Sequence, residues 1–176
     1  RRQRQMCIRD RSYSVTYNGI PFLLKSPLGI ETNLGNYTSQ MELSSASENQ
    51  ALNETYQLPN IKQSHVEYQA NRQVFTFSKD GKKIYDVIFQ VSNRDVAFRY
   101  KLYPQKQTLC CVVLKEATGF TMPQGTTTFM CPQSKPMGGF ARTSPSYETG
   151  YTPDDAIGKN GWGEGYTFPC CLLYTS

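Results

Sequence analysis

Residues 74–102 read VFTFSKDGKKIYDVIFQVSNRDVAFRYKL, and this stretch decides the fold class. Val74 to Ser78 is an apolar-rich run that ends at Lys79-Asp80-Gly81-Lys82, where Asp-Gly supplies two positions tolerant of positive φ, as a two-residue hairpin requires. Tyr85, Val87, Phe89 and Val91 then recur with a period of two and share one face. Ser92-Asn93-Arg94-Asp95 turns the chain again. Val96, Phe98, Tyr100 and Leu102 follow on one side, with Arg99 and Lys101 on the other. That alternation marks strands with one face in a core and one in solvent. On this reading Asp86 and Gln90 are more exposed than their neighbours.

The same pattern extends in both directions. Upstream, Tyr13, Val15 and Tyr17 alternate with Ser14 and Thr16, Asn18-Gly19 forms a second hairpin turn, and Phe22 to Leu24 returns. Pro27-Leu28-Gly29 interrupts that strand and Ile30 begins another. Residues 38–53, TSQMELSSASENQALN, are polar and Ser-rich and read as an exposed loop with weak helical character around 47–52. Downstream, residues 109–114, LCCVVL, are apolar on both faces, as in a central strand, which makes Cys110 and Cys111 core residues. Residues 118–169 are rich in Gly, Pro, Thr and aromatics without a period, a long irregular region whose Tyr147, Tyr151, Trp162, Tyr166 and Phe168 can bury area. Turn signals about every ten residues indicate an all-β, antiparallel sandwich with scarce helix.

The 176 residues are 38% hydrophobic and suffice for one core, and no run approaches the roughly 20 apolar residues of a membrane-spanning helix. The net charge of +5 is not spread evenly. Arg1 to Arg11 hold five of the 19 basic residues and one of the 14 acidic ones, so the body, with 14 against 13, is nearly neutral and offers no basic face for nucleic acid.

The two ends share a peculiarity at the level of the genetic code. Met6 to Asp10 can be encoded ATG TGT ATA AGA GAC, and Cys171 to Ser176 can be encoded TGT CTC TTA TAC ACA TCT, an inverted copy of the same string. This resembles a transposase-end adaptor used in library preparation. Residues 1–11 and 171–176 are therefore expected to be adaptor-derived tails outside the folded unit, flanking a native segment, 12–170, of a longer gene.

Few residues suggest chemistry. There is one histidine, His65, without a visible partner for general-base work, and no nucleophile elbow, phosphate loop or dinucleotide fingerprint occurs. The cysteines lack zinc spacing, and a disulfide between Cys110 or Cys111 and Cys131 is left open. Asn36-Tyr37-Thr38 and Asn53-Glu54-Thr55 are glycosylation sequons that chance on polar loops also explains. Among carboxylates, Glu148 sits between Tyr147 and Tyr151 in an irregular loop able to carry an oxygen ligand to a site built elsewhere, although composition alone favours a solvated loop carboxylate. Asp154 and Asp155 read as solvated or capping groups.

Six strings in series, YSVTYNGIPFLLKSPLG (13–29), YQLPNIKQSHV (56–66), VIFQVSNRDVAFRY (87–100), EATGFTMP (116–123), SYETGY (146–151) and GYTFP (165–169), resemble the N-terminal domain of glycoside hydrolase family 97. The resemblance implies an incomplete β-super-sandwich, truncated at both ends. It also implies an exo-acting α-glucosidase or α-galactosidase whose (β/α)8 barrel, with the catalytic acid and base, follows outside this chain, so no catalytic residue is assigned here. It implies one calcium ion shared with the barrel and ligated by Glu148, an α-linked oligosaccharide substrate, and a periplasmic or secreted location. The competing reading is a non-catalytic carbohydrate-binding sandwich in which Trp162 and Tyr166 stack on sugar rings.

Overall fold

The structure is a computed structural model that describes residues 4–9, 11–107, 110–131, 153–154, 166 and 169–174. Two compact units, Arg1–Met122 and Pro123–Ser176, divide the chain. All regular structure among the described residues is β. In the first unit the strands are β1 (Arg4–Arg9), β2 (Ser12–Tyr17), β3 (Ile20–Pro27), β4 (Ile30–Thr32), β5 (Gly35–Tyr37), β6 (Glu42–Ala46), β7 (Gln50–Gln57), β8 (His65–Lys79), β9 (Lys82–Ser92), β10 (Val96–Leu102) and β11 (Val113–Glu116). The second unit contributes β12 (Thr127–Phe129) and β13 (Cys171–Leu173). No helix among the described residues is long and apolar enough to cross a membrane.

Every ladder is antiparallel. One sheet of the first unit has the order β1-β2-β3, a second β10-β9-β8-β6 with β7 also on β8, and a third β11-β4-β5. The three expected hairpins are present. Asn18 and Gly19 stand at φ 52° and 81° between Tyr17 and its partner Ile20, and Asp80 and Gly81 at φ 50° and 74° between Lys79 and its partner Lys82. At the third, Val91 pairs with Val96, and Ser92 N–H donates to the Asp95 carbonyl at 3.0 Å.

The core lies between the first two sheets. Tyr13, Val15 and Leu23 meet Phe75, Phe77, Tyr85, Val87 and Phe89, while half-buried Val96, Phe98, Tyr100 and Leu102 close the margin. Tyr13 lies 5.8 Å from Phe89 and 5.6 Å from Phe98 between ring centroids, so aromatic packing joins the layers in the tilted geometry that ring quadrupoles favour. A hydrogen-bond relay fixes the side of this core. Gly29 N–H donates to the Tyr100 hydroxyl (2.9 Å), Tyr100 pairs with Thr118 Oγ1 (2.9 Å), and Thr118 donates onward to Glu116 Oε1 (2.7 Å). Because the Thr118 proton is committed to Glu116, the Tyr100 proton points at Thr118.

Three expectations are corrected. Residues 38–53 are not a loop: β6 and β7 lie end to end along one edge of β8, which is four residues longer than β9. A long unpaired edge is a template for added strands, and pairing needs no apolar pattern. Ser47 bridges the break between the two short strands. Its N–H donates to the Val74 carbonyl (2.8 Å), its Oγ accepts from Val74 N–H (3.0 Å) and its carbonyl accepts from Gln73 Nε2 (2.8 Å).

The 109–114 run does not form a buried central strand. Leu109 lies outside the described residues, Cys110 and Cys111 are exposed, and β11 is the edge of its sheet with Val113 49% and Leu114 62% exposed. An apolar sequence on both faces signals burial only when something covers both faces.

Asp86 is only 4% exposed, so β9 is covered on both sides at its middle, where Ile84 and Ile88 are also buried. The carboxylate tolerates this because Thr76 and Tyr103 hydroxyls bond it.

Finally, Arg4–Arg9 pairs along its whole length with Ser12–Tyr17, and Cys171–Leu173 pairs with Thr127–Phe129. These parts of both ends pair in ladders. Arg11 is anchored too, its carbonyl accepting from Leu28 N–H (2.7 Å) and its guanidinium donating to the Thr38 carbonyl. Sheet pairing depends on backbone reach and is indifferent to the codon symmetry.

Candidate functional site

The residues singled out from the sequence do not converge in the described structure. Glu148, Asp155 and Trp162 lie outside the described residues. Asp154 is exposed in a turn at φ 56°, where its N–H donates to the Thr128 carbonyl (3.0 Å) and its Oδ1 accepts from Thr128 N–H (2.8 Å). That is a capping role, as the sequence suggested. Tyr166 is half-buried at an isolated bridge. His65 opens β8 in solvent with Nε2 3.6 Å from Glu67 Oε1, a pair screened by water on both sides. Cys110, Cys111, Cys131, Cys170 and Cys171 are not disulfide-bonded. Among the described residues no group of three or more His, Cys, Asp or Glu could hold a metal ion.

What the strand pattern does assemble lies on the face of the β7-β8-β9-β10 sheet turned away from the core. Arg72 stands opposite Gln90, which stands opposite Ala97; one row along, Val74, Ile88 and Arg99 are in register. Glu54 on β7 faces Tyr68 on β8. Glu54, Arg72, Ile88, Gln90 and Arg99 line a surface cavity of about 320 Å³. Arg72 Nε is buried and finds no hydrogen-bond partner among the described residues. Tyr68 extends its hydroxyl to Asp95 Oδ1 at 3.2 Å, and burial, followed by the charges of Asp95 and Glu54, pushes its pKa up. Sequence reading placed Gln90 and Arg99 on the solvated half of the alternation and gave Glu54, Arg72 and Ile88 no place in a site. The available signal was that two arginines and a carboxylate fall on one face of β7, β8 and β10.

The second unusual surface is apolar. Ile20, Phe22 and Leu24 alternate along β3 and are all exposed, although Leu23 between them is buried. The segment after β11 runs beside this strand, with Gly119 N–H donating to the Pro27 carbonyl (3.0 Å) and Leu24 N–H to the Thr121 carbonyl (2.8 Å). It adds exposed Phe120, and β11 adds Val113 and Leu114. Exposed apolar side chains of this size are typical of surfaces that meet another protein element.

The family model described as Glycosyl-hydrolase 97 N-terminal matches residues 4–175. The chain belongs to glycoside hydrolase family 97. Among solved structures, this family 97 domain is similar to a β-arabinopyranosidase, with 42% identity over 97% of this chain and 28% of that one at a TM-score of 0.84. It shares its fold with a family 97 enzyme from Pseudoalteromonas sp. strain K8. In an arginine-to-lysine variant of that enzyme the match has 21% identity, 96% of this chain, 25% of that one and a TM-score of 0.74. In a glutamate-to-glutamine variant of it in complex with panose the values are 24%, 73%, 21% and 0.66. The chain therefore spans about a quarter of the length of the enzymes it matches. Comparison with curated proteins gives no match.

Proposed function

We propose that this family 97 domain serves an exo-acting glycoside hydrolase as a wall of the substrate site beside a catalytic (β/α)8 barrel carried on other parts of the polypeptide. The observation that carries the reading is the 42% identity to a β-arabinopyranosidase over 97% of this chain. A β-L-arabinopyranoside and an α-D-galactopyranoside have the same ring stereochemistry and differ only in the hydroxymethyl group. That relative therefore favours galactoside-type substrates over glucosides within the α-glycosidase class. The exposed apolar ribbon of β3, Phe120 and β11 is the kind of surface a neighbouring domain covers. A periplasmic or secreted setting is part of the same proposal.

Calcium enters the proposal through Glu148 alone. A carboxylate is the right donor for a hard cation, but the ion takes six to eight oxygens, and the described residues supply no cluster of their own. Glu148 is accordingly proposed as one ligand of a composite site completed by barrel residues. When bound there, the ion supplies electrostatic polarisation and positioning at the glycosidic centre. The acid and base work belongs to barrel carboxylates.

The test is to express the uninterrupted gene containing this segment and measure hydrolysis of p-nitrophenyl α-galactoside, β-L-arabinopyranoside and α-glucoside. Hydrolysis of the first two above the third supports the reading. A protein without a barrel, or one inert on all three, overturns it.

A further inference from the structure

We propose that the cavity on the outer face of the β7-β8-β9-β10 sheet, lined by Glu54, Arg72, Ile88, Gln90 and Arg99, is a binding subsite for a single neutral pyranoside ring. The inference does not depend on the catalytic reading above.

The argument starts from the unsatisfied donor. A buried N–H without an acceptor carries a desolvation cost, which the Arg72 side chain, lining the cavity, escapes by turning Nε toward an oxygen that a ligand brings. Two guanidinia alone would select an anion, because Arg presents paired donors to carboxylate or sulfate. Neither takes part in an ion pair among the described residues, so both retain free donors. The third charged group changes the selection. Glu54 lines the same cavity, repels an anion and contributes acceptors only, while Gln90 offers both kinds of group. A ligand that satisfies this mixture must donate and accept at neighbouring atoms, which is what the vicinal hydroxyls of a sugar do.

The apolar floor fits the same ligand. Ile88 is buried beneath the cavity and presents a hydrocarbon surface to the C–H face of a ring. Size limits the occupant to about one ring, since about 320 Å³ is at the low end of small-molecule sites. The strands hold the lining groups in register, so little ordering is needed when a ring arrives. Tyr68, tied to Asp95, stands opposite Glu54 across β7 and β8.

The experiment is an NMR titration of the 176-residue chain with methyl α-D-galactopyranoside, methyl β-L-arabinopyranoside and maltotriose, following the Arg72 and Arg99 Nε–H signals and the backbone amides of β8 to β10. Sodium sulfate and sodium glucuronate form a second arm. Saturable shifts with a neutral sugar, confined to this face, are expected. Glu54→Gln and Arg99→Ala change exposed side chains, so the fold should persist while affinity falls about fivefold to tenfold; Arg72→Ala should abolish binding. Three results overturn the proposal: no saturable shift with any neutral sugar, sugar binding unchanged in all three variants, or preferential binding of sulfate or glucuronate, which would make this an anion site.

Discussion

Thr76 and Asp86 face one another across β8 and β9, and the threonine hydroxyl donates to Asp86 Oδ1 at 2.8 Å in a place where neither side chain meets water. Tyr103 donates to the other carboxylate oxygen, also at 2.8 Å, from just beyond β10. The three groups let a charge sit on a sheet face that would otherwise have to be apolar or wet. Replacing Asp86 with Ala leaves the Thr76 hydroxyl buried and unpaired, and should cost about 1–3 kcal/mol in urea unfolding. Thr76→Val should cost about 1 kcal/mol. A double variant whose cost equals the sum of the two would show that the groups are not coupled.

This pair also explains why part of the fold was hidden in the sequence. Turn chemistry and period two located three hairpins and one face of β8 to β10, because those features are local and repeat. Asp86 occupied the polar phase of the alternation, and nothing in the sequence signals that Tyr103 folds over it. The strands β6 and β7 were invisible for a different reason: their side chains are exposed, and the demand they satisfy is the unpaired backbone of β8. Residues 109–114 misled in the opposite sense, since apolar composition does not say whether the covering layer is present. Of the candidate site, Glu148 came from family resemblance alone, whereas the Arg72, Arg99 and Glu54 cavity was latent in the alternation but required strand register to assemble.

The hairpin glycines give a second prediction. A Cβ on Gly81 or Gly19 would meet nothing within 4 Å, so substitution meets no steric clash and the cost is that of positive φ alone, at 74° and 81°. Gly81→Ala and Gly19→Ala should each destabilise by about 1 kcal/mol. Asp80→Gly should be close to neutral, because Asp80 already holds φ 50° without being glycine. Thermal melts showing no loss for either alanine variant would mean that the turns relax into another type.

Burial raises the pKa of Tyr13, Tyr85 and Tyr100 in the folded chain, with the neighbouring Tyr100 hydroxyl adding to the effect on the first two. In the unfolded chain these phenols titrate near pH 10. Between the unfolded and the folded values the unfolded state binds fewer protons, so stability falls as pH rises; the contribution is complete below about pH 10 and lost above it. Tyr85 is the informative member, since its hydroxyl is buried without a hydrogen-bond partner among the described residues. Tyr85→Phe should leave stability at pH 7 unchanged or raise it by up to about 1 kcal/mol, and should flatten the decline above pH 10. A large loss at pH 7 would reveal a partner for that hydroxyl.

The apolar ribbon yields a prediction about assembly. Phe120 is 54% exposed, so Phe120→Ser should change the stability of the isolated chain by no more than about 0.5 kcal/mol while reducing its self-association in light scattering. In the complete enzyme the same change should lower the melting temperature if, as proposed, a neighbouring domain covers the ring. Equal insensitivity in both settings would remove this surface as a domain contact.

Glu148 is the residue on which the calcium proposal stands or falls. Because one carboxylate cannot satisfy an ion that prefers six to eight oxygens, the isolated chain should bind calcium weakly and hydrolyse nothing. In the complete enzyme, Glu148→Gln preserves side-chain shape but removes the charge, so half-maximal activation should require about tenfold more calcium, with partial rescue at excess ion. Calcium affinity measured by calorimetry should fall in parallel, which separates loss of the ion from damage to the substrate site. Glu67→Gln is the control: that side chain is 74% exposed beside His65, and its loss should alter neither activity nor calcium response. Wild-type activity and calcium dependence in the Glu148 variant would return this residue to an ordinary loop carboxylate and leave the domain's role at the substrate site to be carried by other side chains.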